Sequence, residues 1–357
     1  LEVLVMGNAF ADRRVLVTGH TGFKGSWLSL WLDELGARVG GLALAPATDP
    51  ALFTEAGLDR CLDHHLADIR DAHAVDEIVA ATRPEIVFHL AAQSLVRASY
   101  TDPLGTYAIN VMGTAHVLDA AQRHGVQAVV IVTSDKCYAA PPPGRGYREG
   151  DPLGGHDPYS SSKACAELLT ASWRDSFTAH GQGPLIASAR AGNVIGGGDW
   201  AEDRLVPDLV RAALAGTTTP IRNPDAIRPW QHVLEPLTGY LKLGARLLDG
   251  DAACARAWNF GPAEADMQPV SMVADRLCER LGGHWQHDAG EHPHEAAVLR
   301  LDSGDARAQL GWAPRWALDT ALDTVADWHR RHAAGESARA LMREQLAAYG
   351  HPLETHR

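Results

Sequence analysis

Tyr159 and Lys163 stand four residues apart in the stretch YSSSK. That stretch reads as the start of a helix over 159–178, so the two side chains share one face. An ammonium beside a phenol lowers its pKa, which makes the tyrosine a usable base toward a hydroxyl group. A second set, Ser134-Asp135-Lys136, follows a strand read over 128–133. Loops at the carboxyl ends of parallel strands are where sites form, so these residues are expected to meet Tyr159. Alcohol oxidation needs only a hydroxyl, the tyrosine and the lysine. The extra pair Asp135 and Lys136 therefore implies a second proton transfer. Cys137 has no adjacent histidine to activate it and reads as packed beneath the loop.

Gly19, Gly22 and Gly25 form a third group, between a strand over 14–18 and a helix over 24–35. Glycines there let the backbone turn tightly and approach a pyrophosphate, and the helix N-terminus offers unpaired N–H groups to its charge. A strand over 38–44 completes a right-handed βαβ unit. An acid near the end of that second strand would hold a ribose hydroxyl, but the first acid is Asp49. No basic cluster for an extra phosphate stands there either.

The elements that must position these groups alternate. Strands are expected over 86–90, 128–133 and 185–190, with helices over 72–81, 104–124 and 159–178 between them. This predicts an α/β fold, a Rossmann-type doubly wound parallel sheet covered on both faces. After residue 190 the pattern changes, and helices are expected over 233–248 and 270–281. We expect a dinucleotide-binding domain over 12–190. A smaller, partly interleaved α/β substrate domain follows over 191–335, with some segments returning to the first, and then a C-terminal tail over 336–357. The 357 residues carry a formal net charge of -12, which disfavours nucleic acid and anionic membrane as partners. Five widely spaced cysteines with no CxxC predict a reducing compartment, and no apolar run reaches membrane-spanning length; the expectation is a cytoplasmic protein.

Several stretches together carry a family resemblance: TGHTGFKGSW (18–27), HLAAQSLVR (89–97), TSDKCY (133–138), DPYSSSK (157–163), GNVIGGGDW (192–200), RPWQHVLEP (228–236) and LGWAP (310–314). The chain resembles, over about 14–330, the nucleotide-sugar 4,6-dehydratases of the extended short-chain dehydrogenase/reductase family. Lys136, where most branches have a glutamate, points to the branch acting on CDP-sugars. Ala139-Ala140 departs from the family's acid and asparagine.

The resemblance implies NAD rather than NADP. Gly19, Thr21, Gly22, Phe23, Lys24, Gly25, Asp68, Ile69, Leu90, Ala91, Ala92, Gln93, Thr133, Tyr159 and Lys163 would lie against it. It implies CDP-glucose or a related nucleotide sugar, held by Ser94, Arg97, Asn193, Arg204, Arg222, Arg228, Trp230 and His232. Tyr159 would take the C4 hydroxyl proton, Ser134 would bond O4, Lys136 would remove the C5 proton and Asp135 would protonate the leaving C6 hydroxyl. Water loss and hydride return to C6 would give a CDP-4-keto-6-deoxy sugar. Dehydration of another nucleotide sugar and a 4-epimerase, which needs Tyr159 and Lys163 alone, stay open; retention of both argues against a cofactor-sensing scaffold. A homodimer built from helices of the cofactor domain is implied, with a further pairing to a tetramer open. The stretch His284 to Glu295, with His287, His292 and His294, has no helical metal-ligand spacing, and no metal is expected.

Overall fold

The computed structural model describes residues 9–292 and 295–350. Strands β1 (Arg14–Thr18), β2 (Arg38–Ala43), β3 (Asp63–Leu66), β4 (Ile86–His89), β5 (Ala128–Val132), β6 (Leu185–Ala191) and β11 (Ala257–Phe260) form one sheet. Its order is β11-β6-β5-β4-β1-β2-β3, and every neighbouring pair is parallel. This is the Rossmann-type sheet, with its order reversing between β1 and β4.

Strand alternation sends side chains to two cores. Val15, Val17, Phe88 and Val130 pack against the helices Phe23–Glu34 and Leu234–Leu248 through Leu28, Leu32, Leu237 and Leu241. Leu16, Val87, Val129 and Ile131 face the helices Ala72–Thr82 and Thr114–Arg123 through Val75, Val79, Val117 and Leu118. Strands buried on both faces read as continuous apolar runs, which is why β1, β4 and β5 were legible in the sequence. The edge strand β3, Asp-His-His-Leu, is half-exposed and polar, and it has no such run.

Two segments differ from expectation. The helix expected over 104–124 is divided into Pro103–Tyr107, a π-helical turn Ala108–Gly113, and Thr114–Arg123. Residues 336–350 do not form a tail: the helix Ala338–Ala348 buries Leu341, Met342 and Leu346 in the same core as Trp27 and Trp31. Arg339 pairs with Asp33 at 3.0 Å and Arg343 with Glu34 at 2.9 Å. Residues 351–357 of that expected tail lie outside the described residues. The apolar spacing 341, 342, 346 is helical, and burying it outweighs the order lost.

The chain leaves the sheet after β6 and returns for Leu234–Leu248 and β11. Between and after these, β7 (Val194–Ile195), β8 (Thr218–Ile221), β9 (Ile227–Pro229), β10 (Gln231–His232), β12 (Met267–Pro269) and β13 (His284–His287) form three two-stranded sheets. A separate core joins them to the helices Leu205–Ala215, Val270–Leu281 and Leu318–Ala333 through Leu209, Val273, Leu277, Leu322 and Val325. No helix among the described residues is long and apolar enough to cross a membrane.

Candidate active site

A cleft of about 960 Å³ opens at the carboxyl ends of the central strands, against the smaller lobe. Ligands in open α/β sheets bind at such a reversal of strand order. Every predicted site residue except His232 lines it. A smaller cavity of about 380 Å³, around Arg14, Arg83, Glu85, His124 and Gln127, contains none of them.

The glycine loop builds one wall. Gly19 has φ +74, and a Cβ there would stand 2.7 Å from the Ala91 amide nitrogen. A Cβ on Gly25 would stand 2.1 Å from the Gly19 carbonyl oxygen, so the helix can approach the strand end this closely only as glycine. Gly22 caps the helix Phe23–Glu34 with no side-chain hydrogen bond, which leaves its first N–H groups to the cleft. His20 turns inward beneath the loop, over Gly41, and its Nε2 meets His64 Nδ1 at 2.6 Å. Burial and then His64 bring His20 down to about 4, so it is neutral near pH 7.

His89, at the end of β4, bonds Thr18 Oγ1 at 2.7 Å and Thr114 Oγ1 at 3.0 Å. Burial lowers its pKa to about 3, with Lys163 adding to the effect. The π-helical turn aims Asn110 inward: its Oδ1 accepts from Gln93 N at 2.8 Å, and its Nδ2 donates to Gln93 O at 2.9 Å and Ser162 Oγ at 2.8 Å. Asn110 thus ties the loop after β4 to the helix Pro158–Ser176, which carries Tyr159 and Lys163. Asp68 lines the wall beside Ile69 and is gripped by Arg70, whose guanidinium holds its carboxyl below the usual value.

Ser134, Asp135 and Lys136 follow β5 in a short 3-10 turn. Ser134 Oγ donates to Asp135 Oδ1 at 3.1 Å and accepts from Lys136 N at 3.2 Å; it also hydrogen-bonds the Tyr159 side chain. Asp135 is buried, and its Oδ2 has no hydrogen-bond partner among the described residues. Lys163 Nζ donates to Val132 O at 3.4 Å. Burial lowers Lys163 to about 8, opposed by Glu167. Burial raises Tyr159 to about 12, opposed by the Ser134 hydrogen bond and Arg204. The charge that lowers the phenol is that of Arg204 rather than the expected Lys163, and desolvation outweighs it. Cys137 is fully buried and its thiol is pushed far up, the inert state expected of it.

Beneath this loop runs a buried polar network that the sequence did not reveal. Glu167 accepts from Thr133 Oγ1 at 2.5 Å, Ser188 Oγ at 2.7 Å and Arg190 at 2.8 Å. Arg190 also donates to Tyr138 OH at 2.8 Å, which donates to Asn259 Oδ1 at 2.6 Å. Asn259 belongs to β11, so the late strand anchors the catalytic loop. The one available signal was Glu167 at i+4 from Lys163, on the same helix face.

Across the cleft stand the predicted arginines, together with carboxylates that had not been singled out. Arg204 pairs with Asp199 at 3.1 Å and donates to Ser94 Oγ at 2.9 Å. Arg97 and Arg222 both reach Asp203 Oδ1, at 2.6 and 3.3 Å. Arg222 and Arg228 lie 3.7 and 3.8 Å from the Glu295 oxygens. Asn193 presents a buried Oδ1 without a partner among the described residues. Trp230 lines the cleft with its Nε1 bonded to Gln268 O at 3.0 Å. Lys24 joins this group from the opposite wall: burial and the charges of Arg204 and Lys163 lower it to about 7.

His232 is a correction. It is fully buried in the main core between Trp27 and Trp316, 6.1 and 4.8 Å away by ring centroid, and its pKa is lowered to about 3. Trp230 stands at the break between β9 and β10 and lines the cleft, whereas His232 lies on β10 and packs inward with Gln345, a partner on the last helix. Of the histidine-rich stretch, His294 lies outside the described residues; His284 and His287 occupy β13, and His292 lies 3.2 Å from Asp288. Among the described residues no three His, Cys, Asp or Glu side chains gather as a metal site.

The sequence model of the NAD dependent epimerase/dehydratase family matches residues 15–254. CDP-glucose 4,6-dehydratase of Salmonella typhimurium is 48% identical over 351 residues, covering 96% of this chain and 97% of that protein. dTDP-glucose 4,6-dehydratase of Streptomyces antibioticus is 31% identical, covering 90% and 93%. Among solved structures, the dTDP-glucose 4,6-dehydratase DesIV of Streptomyces venezuelae, with NAD and TYD bound, has a TM-score of 0.77 at 25% identity, covering 90% and 98%. With its motif residues gathered in one cleft at the reversal of the sheet, this chain belongs to the NAD dependent epimerase/dehydratase family.

Proposed function

We propose that the chain is a CDP-glucose 4,6-dehydratase that holds NAD. The observation that carries this is the buried Asp135 carboxyl group, one oxygen without a partner among the described residues, beside Tyr159 and followed by Lys136. A 4-epimerase has no use for that second acid/base pair. The 48% identity to the Salmonella enzyme supports CDP-glucose as substrate.

The residues present fit the dinucleotide. Gly19 and Gly25 hold a wall that a Cβ would break, and the uncapped helix end at Gly22 offers N–H groups to a diphosphate. The wall after β2, from Ala43 to Asp49, contains no Lys or Arg that would answer an added phosphate. When bound, NAD supplies a hydride acceptor at C4 and a hydride donor at C6.

In this reading Tyr159 takes the C4 hydroxyl proton while Ser134 hydrogen-bonds O4. Lys163 keeps positive charge beside the tyrosine. The resulting ketone acidifies the C5 proton, which Lys136 removes as its free amine. Asp135 delivers a proton to the C6 hydroxyl as water departs. Arg97, Arg204, Arg222 and Arg228 exchange carboxylate partners for the substrate diphosphate. A domain mainly over 12–190 for NAD, to which Leu234–Leu248 and β11 return, and a lobe mainly from the rest of 191–335 for the sugar nucleotide accord with the two walls of the cleft.

Incubation of the pure protein with CDP-, dTDP-, UDP- and GDP-glucose tests the proposal. A 4-keto-6-deoxy product from CDP-glucose is expected, detected by alkaline absorbance and by mass. An epimer, or no 6-deoxy product from any of the four, overturns it.

We also propose a homodimer. Leu104 (82% exposed), Met112 and Leu168 stand open to solvent on adjoining helical segments of the cofactor side. Exposed apolar residues grouped this way mark an association surface.

A further inference from the structure

A sugar nucleotide seated with its C4 at Tyr159 must extend its diphosphate and base away from that point. The helix Leu205–Ala215 runs along the cleft from that end. Arg204, just before it, touches Ser94 and Asp199, and its charge reaches Tyr159 and Lys24. Asp208 and Arg211 follow at i+4 and i+7, on the same face and also in the cleft wall. They lie about 6 and about 10 Å further along the helix axis. Asp208 neighbours Asp203 and Arg222, so it adjoins the arginine group. Thr219 and Pro220 of β8 line the same end.

Arg211 is held in place by Trp200 O at 2.7 Å and Ala201 O at 3.3 Å, and it pairs with Asp208 Oδ1. The carboxylate is therefore fixed in orientation, half-buried, in the cleft wall one turn of helix beyond Arg204. Pyrimidine bases differ on their pairing edge at positions 3 and 4, and the substituent at position 4 is the one that projects furthest from the ring. Cytosine carries an amino donor at position 4, where uracil and thymine carry a carbonyl acceptor. A carboxylate accepts from the first and repels the second.

We propose that Asp208 selects a cytosine base by accepting its exocyclic amino hydrogen, with Arg211 as the positioning residue that orients the carboxylate. This rests on the reading of the substrate as a CDP-sugar. The pair is then more than a tie for the 199–201 loop: a tie alone has no preference among bases.

The test compares kcat/KM for CDP-glucose and UDP-glucose in the full-length wild type and in Asp208→Asn. The carboxamide can turn a donor toward a carbonyl, so the CDP:UDP ratio should fall by about tenfold or more. A merely structural loss lowers both values alike and leaves the ratio unchanged. A second measurement needs no variant. Wild-type protein is titrated calorimetrically with CDP and with its analogue lacking the 4-amino group, and the analogue should bind about tenfold more weakly or worse. An unchanged ratio, or equal binding of CDP and the analogue, overturns the assignment of Asp208 while the dehydratase reading stands. Wild-type protein that dehydrates another sugar nucleotide but not CDP-glucose overturns the reading itself, and the assignment with it.

Discussion

Tyr159, Ser134, Asp135 and Lys136 form one hydrogen-bonding neighbourhood, yet their surroundings set them different tasks. Tyr159 is desolvated and pushed up to about 12, so the proton transfer proposed for it depends on the Ser134 hydrogen bond and on the charge of Arg204. Asp135 keeps one buried oxygen without a partner among the described residues, which in the proposed reading is left to the substrate. In the proposed reaction Lys136 carries the distinction between dehydration and plain oxidation. Lys136→Met should therefore stop exchange of the C5 hydrogen with solvent deuterium, followed by mass spectrometry, while oxidation at C4 remains detectable. Exchange that persists at the wild-type rate removes Lys136 as the base.

At the scale of elements, the site depends on joins between segments. The glycine loop can cradle a dinucleotide only while the helix Phe23–Glu34 stays against β1. Gly25→Ala forces a Cβ to 2.1 Å from the Gly19 carbonyl oxygen. Protein purified with this substitution should carry little or no dinucleotide by absorbance and should melt lower than wild type. Full occupancy would refute that account of the loop. Beneath the catalytic loop, Arg190 and Glu167 are 4% and 1% exposed and hold each other at 2.8 Å. Removing one partner of such a buried pair leaves an uncompensated charge. Arg190→Met should cost on the order of 3–5 kcal/mol in urea unfolding, and adding Glu167→Gln should recover part of it. A loss below about 1 kcal/mol would show that the network adds little stability.

The whole molecule adds effects that no single element shows. His20 is lowered to about 4, and His89, His232 and His329 to about 3, each chiefly by burial. Folded protein keeps them neutral, whereas the unfolded chain protonates them below about 6.5. The unfolded state thus binds more protons in this window, and stability falls as pH falls from about 6.5 toward about 3. Melting temperature should already fall from pH 8 to 7, because burial holds Lys24 near 7 and Lys163 near 8 while the unfolded chain keeps both protonated, and it should go on declining below about 6.5 as the histidines join. A His89→Gln variant with an unaltered pH profile would remove that residue from the account. The exposed Leu104, Met112 and Leu168 make the second global prediction. Leu104→Glu should shift the protein from dimer to monomer in sedimentation velocity. A wild type that sediments as a monomer at micromolar concentration would end the dimer proposal.

What the sequence determined by itself was local. Apolar runs marked β1, β4 and β5, because strands covered on both faces have no polar positions to blur them. Gly19, Gly22 and Gly25 marked the nucleotide wall, and Tyr159 with Lys163 marked a shared helix face, because these signals depend on spacing along the chain. Tertiary structure alone decided whatever depends on residues far apart. It brought β11 back to the sheet so that Asn259 could hold Tyr138. It set Asp199, Asp203 and Glu295 against the arginines expected to hold the substrate. It buried His232 among tryptophans from distant segments, and it turned an expected tail into a packed helix. Hydrophobic burial and long-range ion pairing act across space, and neither leaves a periodic mark in the order of residues.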